Sequence, residues 1–412
     1  MKEKTVLIII GSHLATAPRV QKEAQVLRYA GANVIVCGTW WSSALADEDE
    51  LLARALDITF EPVVDIRNGG DLGVRLLQRL ARELFSRFSI ASPRSFGLGA
   101  PELLRAALRI NADLTVVHSE SGLWVAKQLL ISGLKVATDF EDWFSQDLLE
   151  SDRRGRPVQA LQQLERHLLR HGSYCTTTTH VMARAMAADA GTTRVPIVVP
   201  NCFPMGERIR AVNGSRDEVP ANVVSFHWFS QTIGPGRGLE MLAQAMVLLE
   251  GNWWITLRGD LRNNGGWFND LFAYATSTRV HILPAVGNAE LLSRTMSHNV
   301  GLALEIPYCP SRDLTATNKI FEYMRAGLAI IATDTKGQSE VFDSCPDAGI
   351  MVPAGNAVAL AAAMQRLIDD PQLLASCQKA SASAGASTWA WEAHQNLLVN
   401  AVSGVISMGE EP

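Results

Sequence analysis

The chain opens on an apolar run, Val6 to Ile10, then Gly11-Ser12-His13, and then apolar positions Val20, Ala24, Leu27 and Ala30 at intervals of three or four. That order predicts strand, loop and helix. Gly31 ends the helix, and Val34-Ile35-Val36 returns to strand. The arrangement repeats near residue 223: Val223 to Phe229, a Gly234-Pro235-Gly236-Arg237-Gly238 loop, a helical Leu239 to Leu249, then Trp253 to Leu257. Each repeat is a βαβ element of about 30 residues, which implies parallel strands with right-handed crossovers. Short buried strands recur at Leu114 to Val117, Val136 to Thr138, Ile197 to Val199 and Ala329 to Ile331. The chain therefore reads as two doubly wound α/β domains joined near Pro200-Asn201-Cys202-Phe203-Pro204. Ligands of such sheets bind beyond the carboxyl ends of the strands, and two such domains offer a cleft between them.

Composition narrows the function. A chain of 412 residues exceeds one ordinary core, and 47% hydrophobic against 19% charged residues excludes disorder. The net charge of −5 argues against a nucleic-acid partner. No apolar run approaches the ~18 residues of a membrane span, and the opening run is too short for a signal peptide. The six cysteines (Cys37, Cys175, Cys202, Cys309, Cys345 and Cys377) are scattered without CxxC spacing, which suits reduced thiols in a cytoplasm and gives no zinc site. The first loop is not GxGxxG, the second strand ends Cys37-Gly38-Thr39-Trp40 without a ribose-binding acid, and no GxxxxGK[ST] occurs. A dehydrogenase and a P-loop enzyme are both set aside.

The segment Thr317-Asn318-Lys319-Ile320-Phe321-Glu322-Tyr323-Met324-Arg325-Ala326-Gly327 has a helical plan. Thr317 suits an N-cap, Ile320 and Met324 supply an apolar face, and Gly327 suits the left-handed position after the end. First-turn amides beside Lys319 would attract phosphate, and Glu322 a turn further in could accept ribose hydroxyls. An ordinary capped amphipathic helix would read the same way. The Gly234-to-Gly238 loop offers a second phosphate site, with close backbone approach and the forked donor of Arg237. Two such sites in one half point to a diphosphate.

On these residues the chain resembles the retaining glycosyltransferases of the GT-B fold, in their large fourth sequence family. The matching features are Gly234 to Glu240, Arg258-Gly259-Asp260, Val280-His281-Ile282-Leu283-Pro284, and Asn318 to Met324 followed by a strand after Gly327. The resemblance implies that Arg237 and Lys319 hold the donor diphosphate and that Glu322 binds the ribose. It also implies that the loop at Ile282 and Leu283 meets the base through its backbone. Gly11, Ser12, Gly236, Thr317 and Asn318 complete the donor set. Many members carry a glutamate eight positions before the ribose one; here that position is Leu314, so Asp313, Thr315 or loop backbone would take the sugar. The Asp113-x4-His118 pattern matches the strand whose histidine faces the donor sugar, which makes His118, Arg237 and Lys319 the expected catalytic set. Arg19, Asp139, Glu141 and Asp142 are expected on the acceptor side, with no metal and no cofactor besides the nucleotide-sugar substrate. The implied reaction transfers a sugar, with retention, to a saccharide or lipid-linked acceptor in bacterial surface polysaccharide or glycolipid synthesis. The open alternatives are a nucleotide-sugar epimerase or hydrolase, and a non-catalytic scaffold of the same fold.

Two further stretches bear on partners and domains. Residues 67–109 hold eight arginines against Asp71, Glu83 and Glu102, with Leu76, Leu77, Leu80, Leu84, Phe85 and Phe88 at helical spacing. This pattern fits an interfacial helix on anionic lipid, or a packed helix with a solvated basic face. Peripheral contact with the inner face of the membrane is therefore an expectation. Ser387 to Glu392 begins a helical stretch that the resemblance sends back to the first domain, giving expected domains of 1–200 and 201–386 and a crossing helix at 387–412.

Overall fold

Continuous β-branched runs need cover on both faces, and parallel strands flanked by helices supply it. The computed structural model of the protein, which describes residues 1–147, 155–211, 213–273 and 279–407, contains two such sheets. The chain divides into one unit of Met1–Val199 with Gln395–Pro412 and another of Pro200–His394.

In the first unit, β1 (Thr5–Ile9), β2 (Asn33–Trp40), β3 (Thr59–Asp65), β4 (Leu114–Val117), β5 (Val136–Phe140), β6 (Cys175–Thr177) and β7 (Ile197–Val198) are all parallel. Their order is β3-β2-β1-β4-β5-β6-β7, which reverses direction between β1 and β4. Val6, Leu7, Ile8 and Ile9 are fully buried at the centre. The helix Pro18–Tyr29 follows the first loop, with Pro18 in its opening turn where no amide is needed.

In the second unit, β8 (Val224–Thr232), β9 (Trp253–Asp260), β10 (Val280–Leu283), β11 (Val300–Ala303), β12 (Ala329–Thr333) and β13 (Gly349–Val352) form a parallel sheet of order β10-β9-β8-β11-β12-β13. One face packs Phe226, Trp228, Leu242, Met246 and Leu360 together, and the other packs Ala303, Ile320, Phe321, Tyr323 and Ile330. The helix Asn318–Ala326 thus lies on the face opposite Trp228, with Thr317 at the position before its start and Gly327, φ 78°, closing its end. Its seat depends on Gly301: a Cβ there would fall 2.1 Å from the Tyr323 ring. Tyr323 also donates its hydroxyl proton to the Leu302 carbonyl at 3.2 Å, which ties the helix to β11.

Gly301→Ala should therefore lower the stability of the second unit by about 1–3 kcal/mol through overpacking. Urea titration followed by tryptophan fluorescence would show an unchanged midpoint if the Tyr323 ring yields freely.

Candidate functional site

The donor-side residues assemble from three segments at the carboxyl edge of the second sheet. β8 leads into the glycine loop and then the helix Leu239–Met246, whose N-cap is Gly238 at φ 77°. A Cβ on Gly238 would lie 2.1 Å from the Leu304 carbonyl oxygen, so this loop presses on the main chain leaving β11. The next residue, Glu305, accepts from Lys319 Nζ at 2.6 Å and from the Thr317 hydroxyl at 3.2 Å. Lys319 Nζ lies 5.7 Å from the centroid of the Trp228 ring, which closes the circuit back to β8. Thr317 spends its hydroxyl on Glu305 and does not cap the first-turn amides of its own helix. Arg237 is exposed, with Nη1 donating to Ser230 Oγ at 2.9 Å, while the Gly236 amide donates to Glu240 Oε1 at 3.0 Å.

The electrostatics follow from burial and pairing. Burial favours protonation of Glu305, but Lys319 outweighs it and holds the carboxyl below its ordinary value. An ammonium carries three donors, so Lys319 can keep Glu305 and still meet an incoming anion.

Other expected donor residues sit differently. Glu322 is fully buried, and its carboxylate is ion-paired to Arg325, which also pairs with Glu207 and lies 4.0 Å over the Phe203 ring. Its Oε2 thus faces Arg325 in the interior. Asp313 is bound by Lys336 Nζ at 2.6 Å, and Thr315 is buried against Gly337. Leu314 is buried as an apolar residue. Ile282, 40% exposed, and Leu283 close the edge strand β10. Asn318 opens the motif helix.

In the first unit, Gly11 and Ser12 follow β1, and the loop is pinned by His13. His13 Nε2 accepts from the Trp41 and Ser42 amides at 3.0 and 3.3 Å, so the ring proton sits on Nδ1, 2.7 Å from Asp49 Oδ2. Asp49 also accepts from the Trp40 indole and the Ala15 amide, at 2.8 and 2.7 Å.

Arg19, Asp139 and His118 meet each other in the interior of this unit. Arg19 forks onto Asp139 at 2.5 and 2.8 Å and donates to the Val199 carbonyl at 2.7 Å. Thr176 Oγ1 donates to Asp139 as well, at 2.5 Å. His118 places Nε2 2.6 Å from Glu23 and Nδ1 3.0 Å from Asp139, with its side chain only 4% exposed. Arg19 and Asp139, expected on the acceptor side, are thus buried against each other and against His118 and Thr176. Glu141 and Asp142, half-buried just beyond β5, keep a route to solvent. Burial raises the Glu141 pKa, opposed by Arg19 and supported by Asp142 and Asp139.

Sequence reasoning missed Glu305 and Glu23. Glu305 is the first charge after the apolar run of β11, at the edge where ligands bind. Glu23 stands one turn after Arg19, and both are buried, as is Lys22 between them. A charged stripe next to Val20, Ala24 and Leu27 was the available signal.

The second unit is similar to a known family. The family model described as Glycosyl transferases group 1 matches residues 231–370. The matched segment lies within the second unit. Both sheets belong to the GT-B fold, as whole-length structural likenesses show. Sucrose-phosphate synthase from Thermosynechococcus elongatus has a TM-score of 0.71 at 15% identity, covering 98% of this chain and 100% of that one. Anabaena HepE in complex with UDP-glucose gives 0.71 at 14%, with the same coverage. A putative UDP-N-acetylglucosamine 2-epimerase from Listeria monocytogenes gives 0.60 at 11%, covering 100% and 99%. No curated protein matches by sequence. The matched glycosyltransferase segment spans Arg237, Glu305, Lys319 and Glu322 but stops short of the first unit.

The His118 cluster makes a pH prediction. Burial alone would lower the imidazole pKa, but Glu23 and Asp139 raise it from its ordinary 6.5 to about 10. A folded-state pKa above the unfolded one gives stability that is complete below about 6.5 and lost as pH rises through about 10. Urea midpoints of the wild type should fall between pH 7 and 10.5 more steeply than those of His118→Gln. Parallel slopes would refute the charged state of this histidine.

Proposed function

We propose that the protein transfers a sugar from a nucleoside-diphosphate donor to a saccharide or lipid-linked acceptor, with the donor diphosphate held in the second unit by Arg237 and Lys319. The convergence of the Arg237 loop, the end of β11 and the start of the motif helix carries this reading, together with the family match over the same residues. Departure of a nucleoside diphosphate builds negative charge on the leaving oxygen. A fixed ammonium, a guanidinium and helix amides are suited to stabilise that charge in place. Glu305 keeps Lys319 oriented before the donor arrives. The resemblance gives Glu322 the ribose role, and its pair with Arg325 through Oε2 would orient the carboxylate. His118, with both ring nitrogens engaged, contributes through its half-exposed main chain. Retention of configuration comes from the resemblance and follows if the departing diphosphate helps deprotonate the acceptor hydroxyl.

The Listeria epimerase shares the fold, so the reaction needs its own test. Incubation with a panel of UDP-, GDP- and ADP-sugars should release nucleoside diphosphate only when an acceptor is supplied. Release without acceptor would favour hydrolysis, interconversion of sugars would favour epimerisation, and neither would leave a scaffold. Lys319→Ala and Arg237→Ala should each weaken nucleoside-diphosphate binding by roughly ten- to a hundredfold, the scale of a hydrogen bond to a charged group. Unchanged affinity in calorimetry would sink the diphosphate assignment.

The helix Leu72–Phe88 supports contact with anionic membrane. At 100° per residue its inward positions are Val74, Gln78, Ala81 and Phe85, of which Ala81 is buried and the others half-buried. The stripe of Leu72, Leu76, Leu77, Leu80, Leu84 and Phe88, which runs from beside this inward face round to the far side, is 47–65% exposed. Arg75, Arg79 and Arg82 line one side of that stripe and are exposed. An apolar face of this size, flanked by cations, matches an interfacial helix lying in the headgroup plane. Among the described residues no helix is long and apolar enough to cross a membrane. The double variant Leu76→Glu, Leu80→Glu should lose most co-sedimentation with phosphatidylglycerol vesicles while keeping donor binding. Equal sedimentation of variant and wild type would refute the contact.

A further inference from the structure

Arg258 and Asp217 form a buried charge pair in the second unit that does not belong to the diphosphate circuit. Arg258, near the end of β9, is 3% exposed, and its Nη2 lies 2.5 and 2.6 Å from the two carboxylate oxygens of Asp217. Its other terminal nitrogen, Nη1, donates to the Pro284 carbonyl at 2.8 Å. Pro284 is the first residue after β10, and Arg258 is also the register partner of Leu283, the last residue of that strand. Asp217 is fixed from further directions. His298 Nε2 lies 3.2 Å and Arg294 3.5 Å from its carboxylate, while its own amide donates to Ser297 Oγ at 2.9 Å. His298 in turn stacks on His227 of β8, with ring centroids 4.5 Å apart and planes parallel to within 1°.

A buried ion pair adds little net stability over an apolar pair of the same volume, because both ions lose their water. What it supplies is orientation. A guanidinium is a rigid fork whose two arms can serve two partners at a fixed angle. Here one arm is anchored by a carboxylate that three neighbours immobilise, and the other arm holds a backbone carbonyl at the carboxyl edge of the sheet. Ligands of parallel sheets bind along that edge. On the other side the loop is continuous with the helix Asn288–Thr295, where Arg294 binds Glu290 at 2.5 Å and the Arg216 carbonyl at 2.7 Å. The segment leaving β10 is thus clamped at both ends to the chain around Asp217.

We propose that Arg258 is a positioning residue for nucleobase recognition: held by Asp217, it fixes the Pro284 carbonyl and so sets the main-chain edge after β10 against which the base is read. This inference rests on the donor reading above, and it assigns to a single side chain the separation of base recognition from diphosphate recognition. Arg237 and Lys319 grip phosphate without Arg258, so loss of the fork should touch one half of the donor and spare the other.

The test is Arg258→Lys, which keeps a cation for Asp217 but cannot reach both partners. Calorimetry would compare inorganic pyrophosphate with UDP, GDP and ADP on wild type and variant, and hydrogen exchange would follow the amides of Ala285 to Gly287. The expected result is a loss of roughly tenfold for the preferred nucleoside diphosphate, pyrophosphate affinity within about twofold of wild type, and faster exchange in the variant. Equal nucleotide affinity in the two proteins overturns the proposal while the donor reading stands. A parallel loss of pyrophosphate and nucleotide binding also overturns it, because it marks Arg258 as a general structural support. Wild-type protein that binds neither ligand fails the donor reading itself, and the proposal falls with it.

Discussion

The pair between Glu305 and Lys319 is the interaction on which the site's arrangement rests. Each side chain is 12% exposed, so neither charge can rely on water, and each depends on the other for compensation. That dependence locks together two segments that the sequence separates: the exit of β11 and the first turn of the motif helix. The glycine loop then follows, because Gly238 can approach the Leu304 carbonyl only without a side chain. The loop that carries Arg237 is thereby packed against the main chain that leads into Glu305, the partner of Lys319. A site built this way is assembled before any ligand arrives, and its cation is restrained by a partner that leaves two of its donors available.

The first unit uses buried charge differently. Asp139 receives Arg19, His118 and Thr176, and Arg19 continues to the Val199 carbonyl. Burial works to raise the Asp139 pKa, yet Arg19 and His118 hold it far below the usual carboxylate range. The cluster joins the helix Pro18–Tyr29 to the ends of β4, β5 and β6. It is a brace within the first unit, and Glu141 and Asp142 just beyond β5 keep some exposure beside it.

The sheets were largely legible in the chain because parallel strands advertise themselves as short uninterrupted apolar runs. Leu114 to Val117 appears with its expected limits, while β8, β9, β5 and β12 each run further than the apolar core of the run suggests. In β8 and β9 the ends are mostly polar or glycine, as in Ser230-Gln231-Thr232 and Gly259-Asp260, while β5 and β12 gain the buried Phe140 and Ala332 as well as Asp139 and Thr333. The helix of the motif, with Thr317 and Gly327 at its ends, was equally visible, since caps are local chemistry. What the chain could not reveal was which charges pair with which. Glu305 and Lys319 are fourteen residues apart, and Arg19 and Asp139 are separated by 120, so their partnerships exist only after the sheet has brought them together. Glu322 and Arg325 stand one turn apart and could have been paired in advance, but helical spacing alone does not tell an inward carboxylate from one aimed at a ligand.

The helix Leu72–Phe88 holds the first unit with four side chains and shows six larger ones to the outside. Its inner and outer faces therefore answer to different demands. Replacement of an inner residue registers in any measure of folding, whereas the outer leucines could be exchanged for polar residues with the fold intact and solubility improved. A stability screen would score that stripe as free to drift. Selection that kept it apolar would have to act through what the helix touches and not through how the protein folds.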